Sequence, residues 1–137
     1  MSAPIELVLG VPLFSDLSKK EAEELAKTFK ERSFSAGDVI AEEGQRGIGF
    51  FVIQSGTAKV TRAGELRVML GPGDYFGEIA LIDDGPRTAS VIADTELHCY
   101  GLTSWEFRPL VETNAEIAWK LLEGLAKRVR ALEAMAG

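Results

Sequence analysis

Glu78 and Arg87 stand nine residues apart in the stretch Phe76-Gly77-Glu78-Ile79-Ala80-Leu81-Ile82-Asp83-Asp84-Gly85-Pro86-Arg87-Thr88-Ala89-Ser90-Val91. The residue types there suit a small ligand with one hydroxyl-rich end and one anionic end. A carboxylate such as Glu78 only accepts hydrogen bonds, which fits a sugar hydroxyl. Arg87 presents a planar fork of donors that matches phosphate oxygens. Gly77 lets the backbone approach a ligand with no side chain in the way. Residues 78–82 can form one helical turn whose first N–H groups face an anion. Pro86 fixes the approach to Arg87 and keeps Gly85 out of the helical region. A competing reading is a structural ion pair between Glu78 and Arg87 at a loop. Asp83 and Asp84 would oppose an anion, so both are expected to point outward.

The stretch resembles the phosphate-binding cassette of the cyclic nucleotide-binding domain family, of the bacterial catabolite-activator and regulatory-subunit type. The family pattern is roughly F-G-E-x-A-L, a short spacer, then P-R-[ST]-A and a strand. Every fixed position is filled from Phe76 to Ala89. The resemblance implies that Arg87 pairs with a cyclic phosphate and that Glu78 accepts from the ribose 2′-hydroxyl. Backbone groups around Gly77, Ile79, Ala80 and Ala89 would complete the contacts, with the Thr88 hydroxyl beside the phosphate. Val60 and Val68 would line the base side, and Arg67 would point to solvent. Leu122, Leu125 and Val129 are candidates to close over the base. The implied ligand is cyclic AMP in preference to cyclic GMP, with no metal.

Those side chains need a scaffold. The chain has 137 residues, enough for one domain, and 46% of them are hydrophobic, so it is globular. Residues 11–32 read as a turn and an amphipathic helix, with Ser18 and Glu21 spaced as a capping box. From Ser33 the hydrophobic period becomes that of strands, over 38–42, 50–55, 57–62, 66–70, 87–94 and 96–102. Glycines separate the runs, Gly44, Gly47 and Gly56 among them; Ala63-Gly64-Glu65 reads as a hairpin tip, and Gly71-Pro72-Gly73-Asp74 as the turn into the cassette. Short strands at near-even spacing predict a mainly β fold, a jelly-roll β-sandwich or barrel. An N-terminal helix and two C-terminal helices flank it. Ser104 is placed to cap the first of these, and Pro109 to break or kink it. Asn114 is placed to cap a helix from about 115 to 135. Its seam of Ala115, Ala118, Leu122, Leu125, Val129, Leu132 and Ala136 could carry a homodimer. Gly124 marks a hinge, a close contact or a tolerated surface site. The whole is read as a single cyclic nucleotide-binding domain: lead-in 1–32, β-roll 33–103 with its cassette at 76–91, and helices 104–137.

Composition excludes other classes. A formal net charge of −6 argues against nucleic acid as the main partner. There is no apolar run of transmembrane length and no leader, so neither a membrane nor secretion is expected. The single Cys99 fits a reducing cytoplasm and a small core position. One histidine, His98, is too few for a cupin-type metal site, and neither it nor Cys99 sits in a nucleophile motif, so no enzyme is expected. No DNA-binding segment is expected in this chain. The expected role is a regulatory sensor whose ligand moves the C-terminal helices; the alternative is a nucleotide-free protein-interaction module of the same fold.

Overall fold

Helices give way to strands at Lys30 in the computed structural model, which describes residues 3–46, 49–83 and 85–136. Gly47 and Asp84 lie outside the described residues, and with them the readings made for those positions. Helix α1 (Ile5–Leu9), a 3-10 turn (Pro12–Phe14) and α2 (Lys19–Ala26) lead in. The strands follow as β1 (Lys30–Phe34), β2 (Val39–Ala41), β3 (Phe50–Ser55), β4 (Ala58–Arg62), β5 (Glu65–Leu70) and β6 (Tyr75–Phe76). After a 3-10 turn (Glu78–Leu81) come β7 (Ser90–Ala93), β8 (Leu97–Leu102), α3 (Ser104–Glu112) and α4 (Ala115–Ala136). The strands form two four-stranded sheets, in the orders β1-β8-β3-β6 and β2-β7-β4-β5. All the pairings are antiparallel.

Alternation along β3 explains why helices flank the first sheet. Phe50 and Val52 face a core built with Phe14, Leu25, Phe29, Leu102, Phe107 and Ile117. Phe51 and Ile53 face the interior of the roll, with Phe76, Val91, Leu97 and Cys99. Each such side chain contributes about 1.5–3 kcal/mol on burial. Among the described residues the outer face of the second sheet has no such cover, and Val39, Leu66 and Met69 are exposed there.

Several boundaries differ from the sequence reading, each for a physical reason. Strand β1 begins at Lys30, inside the segment 11–32 assigned to a turn and helix. Its Lys-Glu-Arg-Ser-Phe sequence is exposed, lacks alternation and gains its order from pairing with β8. Strand β7 starts at Ser90, because Arg87 is held by a loop: its N–H donates to the Gln45 carbonyl at 2.8 Å and its carbonyl accepts from Gly44 N–H at 2.9 Å. Helix α3 runs through Pro109, anchored by buried Phe107. Its N-cap is Thr103, not Ser104, since the Glu106 carboxylate accepts from the Thr103 N–H and hydroxyl. Ser18 and Glu21 do form the capping box of α2. Asn114 Oδ1 accepts from Ile117 N–H at the start of α4. At the hairpin tip, Ala63 (φ 54°) and Gly64 (φ 78°) are both left-handed, as a two-residue primed turn requires.

Gly124 is a close contact. It is buried, and a Cβ there would stand 3.3 Å from the Leu13 carbonyl oxygen. Ion pairs Lys120–Glu21 (2.6 Å) and Lys127–Asp16 (2.8 Å) tie α4 to the same N-terminal segment. The hydrogen bond from Lys120 holds the Glu21 carboxyl below its ordinary value.

Burial pushes the Cys99 thiol up to about 12 from an ordinary 9.0. The folded chain therefore keeps its proton where the unfolded chain loses it. The associated stability is intact below pH 9.0 and declines as the pH climbs toward about 12. A thiol-specific reagent at pH 8 should leave Cys99 unmodified in the native protein and label it in urea. Rapid labelling without denaturant would contradict the burial.

Candidate functional site

The bend after β6 sets the site. Gly77 has φ 86°, a left-handed conformation that a side chain disfavours, and it turns the chain into the Glu78–Leu81 turn. The bare Cα of Gly77 is where the Arg87 guanidinium packs. A Cβ there would overlap Arg87 Nη1 and lie 2.6 Å from the Gly49 carbonyl oxygen. Arg87 Nη2 donates to that same carbonyl. Arg87 Nε is buried and has no hydrogen-bond partner among the described residues. Burial lowers the Arg87 pKa, and the Glu78 charge pulls it back up. The group stays cationic, since a guanidinium does not deprotonate in proteins.

Glu78 and Arg87 are close enough to feel each other's charge, yet they form no salt bridge. Glu78 Oε1 instead accepts from Arg128 Nη2 of α4 at 3.1 Å, with the Glu78 side chain 12% exposed and that of Arg128 37%. The structural ion pair considered for Glu78 and Arg87 is therefore not formed. Tyr75 borders the pair: its hydroxyl pKa is raised by burial and by the Glu78 charge, and Arg128 opposes that rise.

A cavity of about 400 Å³ opens beside these groups. It brings together Val60, Gly77, Glu78, Ile79, Ala80, Arg87, Thr88 and Ala89. Val68 is not among its walls: it pairs with Val60 across β4 and β5 but is 48% exposed. Arg67 is the extra residue of a bulge in that pairing, exposed beside Glu65. Ala80 N–H donates to the Gly77 carbonyl at 3.1 Å, which leaves the N–H groups of Glu78 and Ile79 as the ones without an acceptor inside the turn. Asp83, expected to point away, is instead among the residues that line the cavity. Its N–H closes on the Ile79 carbonyl at 2.8 Å, which curls the chain back and lays the carboxylate near Gly85. The arrangement presents a cation, the carboxylates of Glu78 and Asp83 and an apolar wall to one open cavity, the chemistry for a small ligand with an anionic end, hydroxyls and a flat apolar part.

Sequence reasoning missed Arg128. A signal existed: Ile117, Leu121 and Gly124 are the buried face of α4, and the same helical stripe continues at 128. An arginine on a buried stripe calls for an acid. Leu122 and Val129, the candidates for covering the base, are exposed, and Leu125 packs against the core formed with the N-terminal helices.

Comparison with known proteins adds to the geometry. Residues 31–114 match the profile described as the cyclic nucleotide-binding domain. A cAMP-dependent protein kinase regulatory subunit of Hypocrea atroviridis is 34% identical over 127 residues, 93% of this chain and 26% of that protein. A cyclic nucleotide-gated potassium channel of Mesorhizobium japonicum is 37% identical over 113 residues, 82% of this chain and 31% of the channel. The chain thus spans between a quarter and a third of these curated relatives. The crystal structure of the N-terminal domain of a transcriptional regulator from Streptomyces coelicolor superposes with a TM-score of 0.86 and 30% identity, covering 92% of this chain and 94% of that one.

Substituting Gly77→Ala puts a methyl group in a left-handed residue and into the Arg87 guanidinium. The variant should lose about 1–3 kcal/mol of stability in urea denaturation. Wild-type stability would show that the guanidinium does not pack on this backbone.

Proposed function

The chain belongs to the cyclic nucleotide-binding domain family, and we propose that its cavity takes a cyclic nucleotide, cyclic AMP in preference to cyclic GMP, as a regulatory signal. The observation that carries this reading is the separated pair. Arg87 and Glu78 share one cavity without neutralising each other, so a guanidinium is left for a phosphate and a carboxylate for a sugar hydroxyl. The buried Arg87 Nε lacks an acceptor among the described residues, and a phosphate oxygen would supply one. Thr88 and the backbone around Gly77, Ile79 and Ala89 would add contacts. Val60 offers the apolar side for a base, and Val68 would join it if the β4–β5 hairpin closed inward.

Charged hydrogen bonds of this kind are each worth about 1.5–3 kcal/mol. Several, with burial of a base, would support affinity in about the micromolar range once the cost of ordering is subtracted. No step of catalysis is assigned to the site. Signal output would pass through the C-terminal helices, because Arg128 joins α4 directly to the cassette. Leu122, Val129 and Leu132 leave an apolar stripe along α4, and a second copy of the chain could cover it. The buried thiol agrees with a reducing cytoplasm.

Calorimetric titration with cyclic AMP and cyclic GMP tests the reading. Binding is expected with both, tighter for cyclic AMP, and Arg87→Gln should weaken it by about a hundredfold. Absence of heat with either nucleotide would favour the interaction module. Affinity indifferent to Arg87→Gln would move the ligand elsewhere.

A further inference from the structure

A cavity for an anion gains nothing from a carboxylate that no cation holds, because like charge opposes binding. Asp83 is such a carboxylate. It lines the same cavity as Arg87, and its side chain has no hydrogen bond or ion pair among the described residues. The backbone sets its place: its N–H closes on the Ile79 carbonyl at 2.8 Å, and a Cβ on Gly85 would meet its Oδ1 at 3.7 Å. The other acid of the wall, Glu78, is bonded to Arg128. Glu78 and Asp83 against Arg87 and Arg128 sum to zero before any ligand enters. One negative charge can settle on Arg87. A second charge on the same phosphate meets Asp83, with no further cation on the cavity wall among the described residues.

We propose that Asp83 is a specificity-determining residue: it acts as a charge filter that admits a phosphodiester with one negative charge and disfavours a phosphomonoester with two. This deepens the cyclic-nucleotide reading and rests on it. The cyclic diester and the linear 5′-monophosphate share the same base, so contacts to the base do not separate them. Their phosphates differ, since a monoester carries about −1.5 to −2 at pH 7 and the diester carries a single charge. Asp83 is exposed and faces an open cavity, so its repulsion is worth only about threefold in affinity for each unit of ligand charge. Salt should screen that repulsion. The filter weakens the intended ligand a little and the ring-opened one more, which keeps a sensor from answering to the hydrolysis product of its own signal.

Asp83→Asn removes the charge at nearly constant shape. Calorimetric titration with cyclic AMP at low salt and about pH 8, with 5′-AMP measured by displacement of cyclic AMP, isolates the effect. The variant should bind cyclic AMP about threefold more tightly and 5′-AMP about tenfold more tightly. Both gains should fade as potassium chloride is raised to about 0.5 M. An equal gain for the two ligands overturns the proposal, as does no gain, or a gain that salt leaves unchanged. A second measurement needs no nucleotide. Inorganic phosphate should raise the thermal unfolding midpoint more in Asp83→Asn than in the wild type, with chloride at equal ionic strength as the control. An equal rise overturns the filter even if the wild type binds cyclic AMP. A larger rise in the variant beside no heat with cyclic AMP leaves the filter standing and ends the nucleotide reading, so the two fail separately.

Discussion

Arg87 rests against the bare Cα of Gly77 with a hydrogen bond on the Gly49 carbonyl, while Glu78, the next residue after that glycine, takes its bond from Arg128. Attraction between opposite charges grows as water is excluded, and each of these two groups is held by a partner of its own. The left-handed glycine makes room for the first, because any side chain would occupy the guanidinium's seat. The long C-terminal helix provides the second. Together they leave a cation and an acceptor beside one cavity on separate partners.

The roll explains how so small a device stays in place. Strand β3 is buried on both faces, and it pairs with β6 immediately before the cassette. Beyond the cassette, Arg87 is clamped by backbone bonds to Gly44 and Gln45 before β7 begins. The bend between these supports is a single 3-10 turn, with Ile79 and Ile82 substantially exposed. Few buried contacts and few backbone bonds mean low local stability, and segments that respond to ligands come from that end of the range. A rigid sheet on either side of a weakly held turn therefore gives a site that can adjust without loosening the fold.

Helix α4 has a double role in this account. Ile117, Leu121 and Gly124 seat it on the core and on the Leu13 backbone, whereas Lys120 and Lys127 reach acids of the N-terminal segment. The exposed Lys127–Asp16 pair contributes little, the half-buried Lys120–Glu21 pair adds to it, and the buried stripe fixes where the helix lies. Arg128 is the residue through which that helix meets the cassette carboxylate. Past it the helix is exposed, with Leu132 and Met135 in solvent.

Local chemistry was legible in the sequence wherever neighbours in the chain are neighbours in space. The Gly77-Glu78 bend, the Ser18–Glu21 capping box, the Ala63-Gly64 hairpin tip and the β-roll class all depend on contacts within a few residues or on a periodic pattern, and each could be read from residue types. Strand β1 could not, because its polar sequence is a strand only through its pairing with β8, far along the chain. Nor could the partners of the two charges: Glu78 meets Arg128 fifty residues later, and Arg87 meets the Gly49 carbonyl thirty-eight residues earlier. Sequence by itself determined which groups could grip a ligand. Tertiary structure decided which of those groups remain free to do so, because electrostatic pairing in a buried site depends on distances that only the packed helices and sheets define.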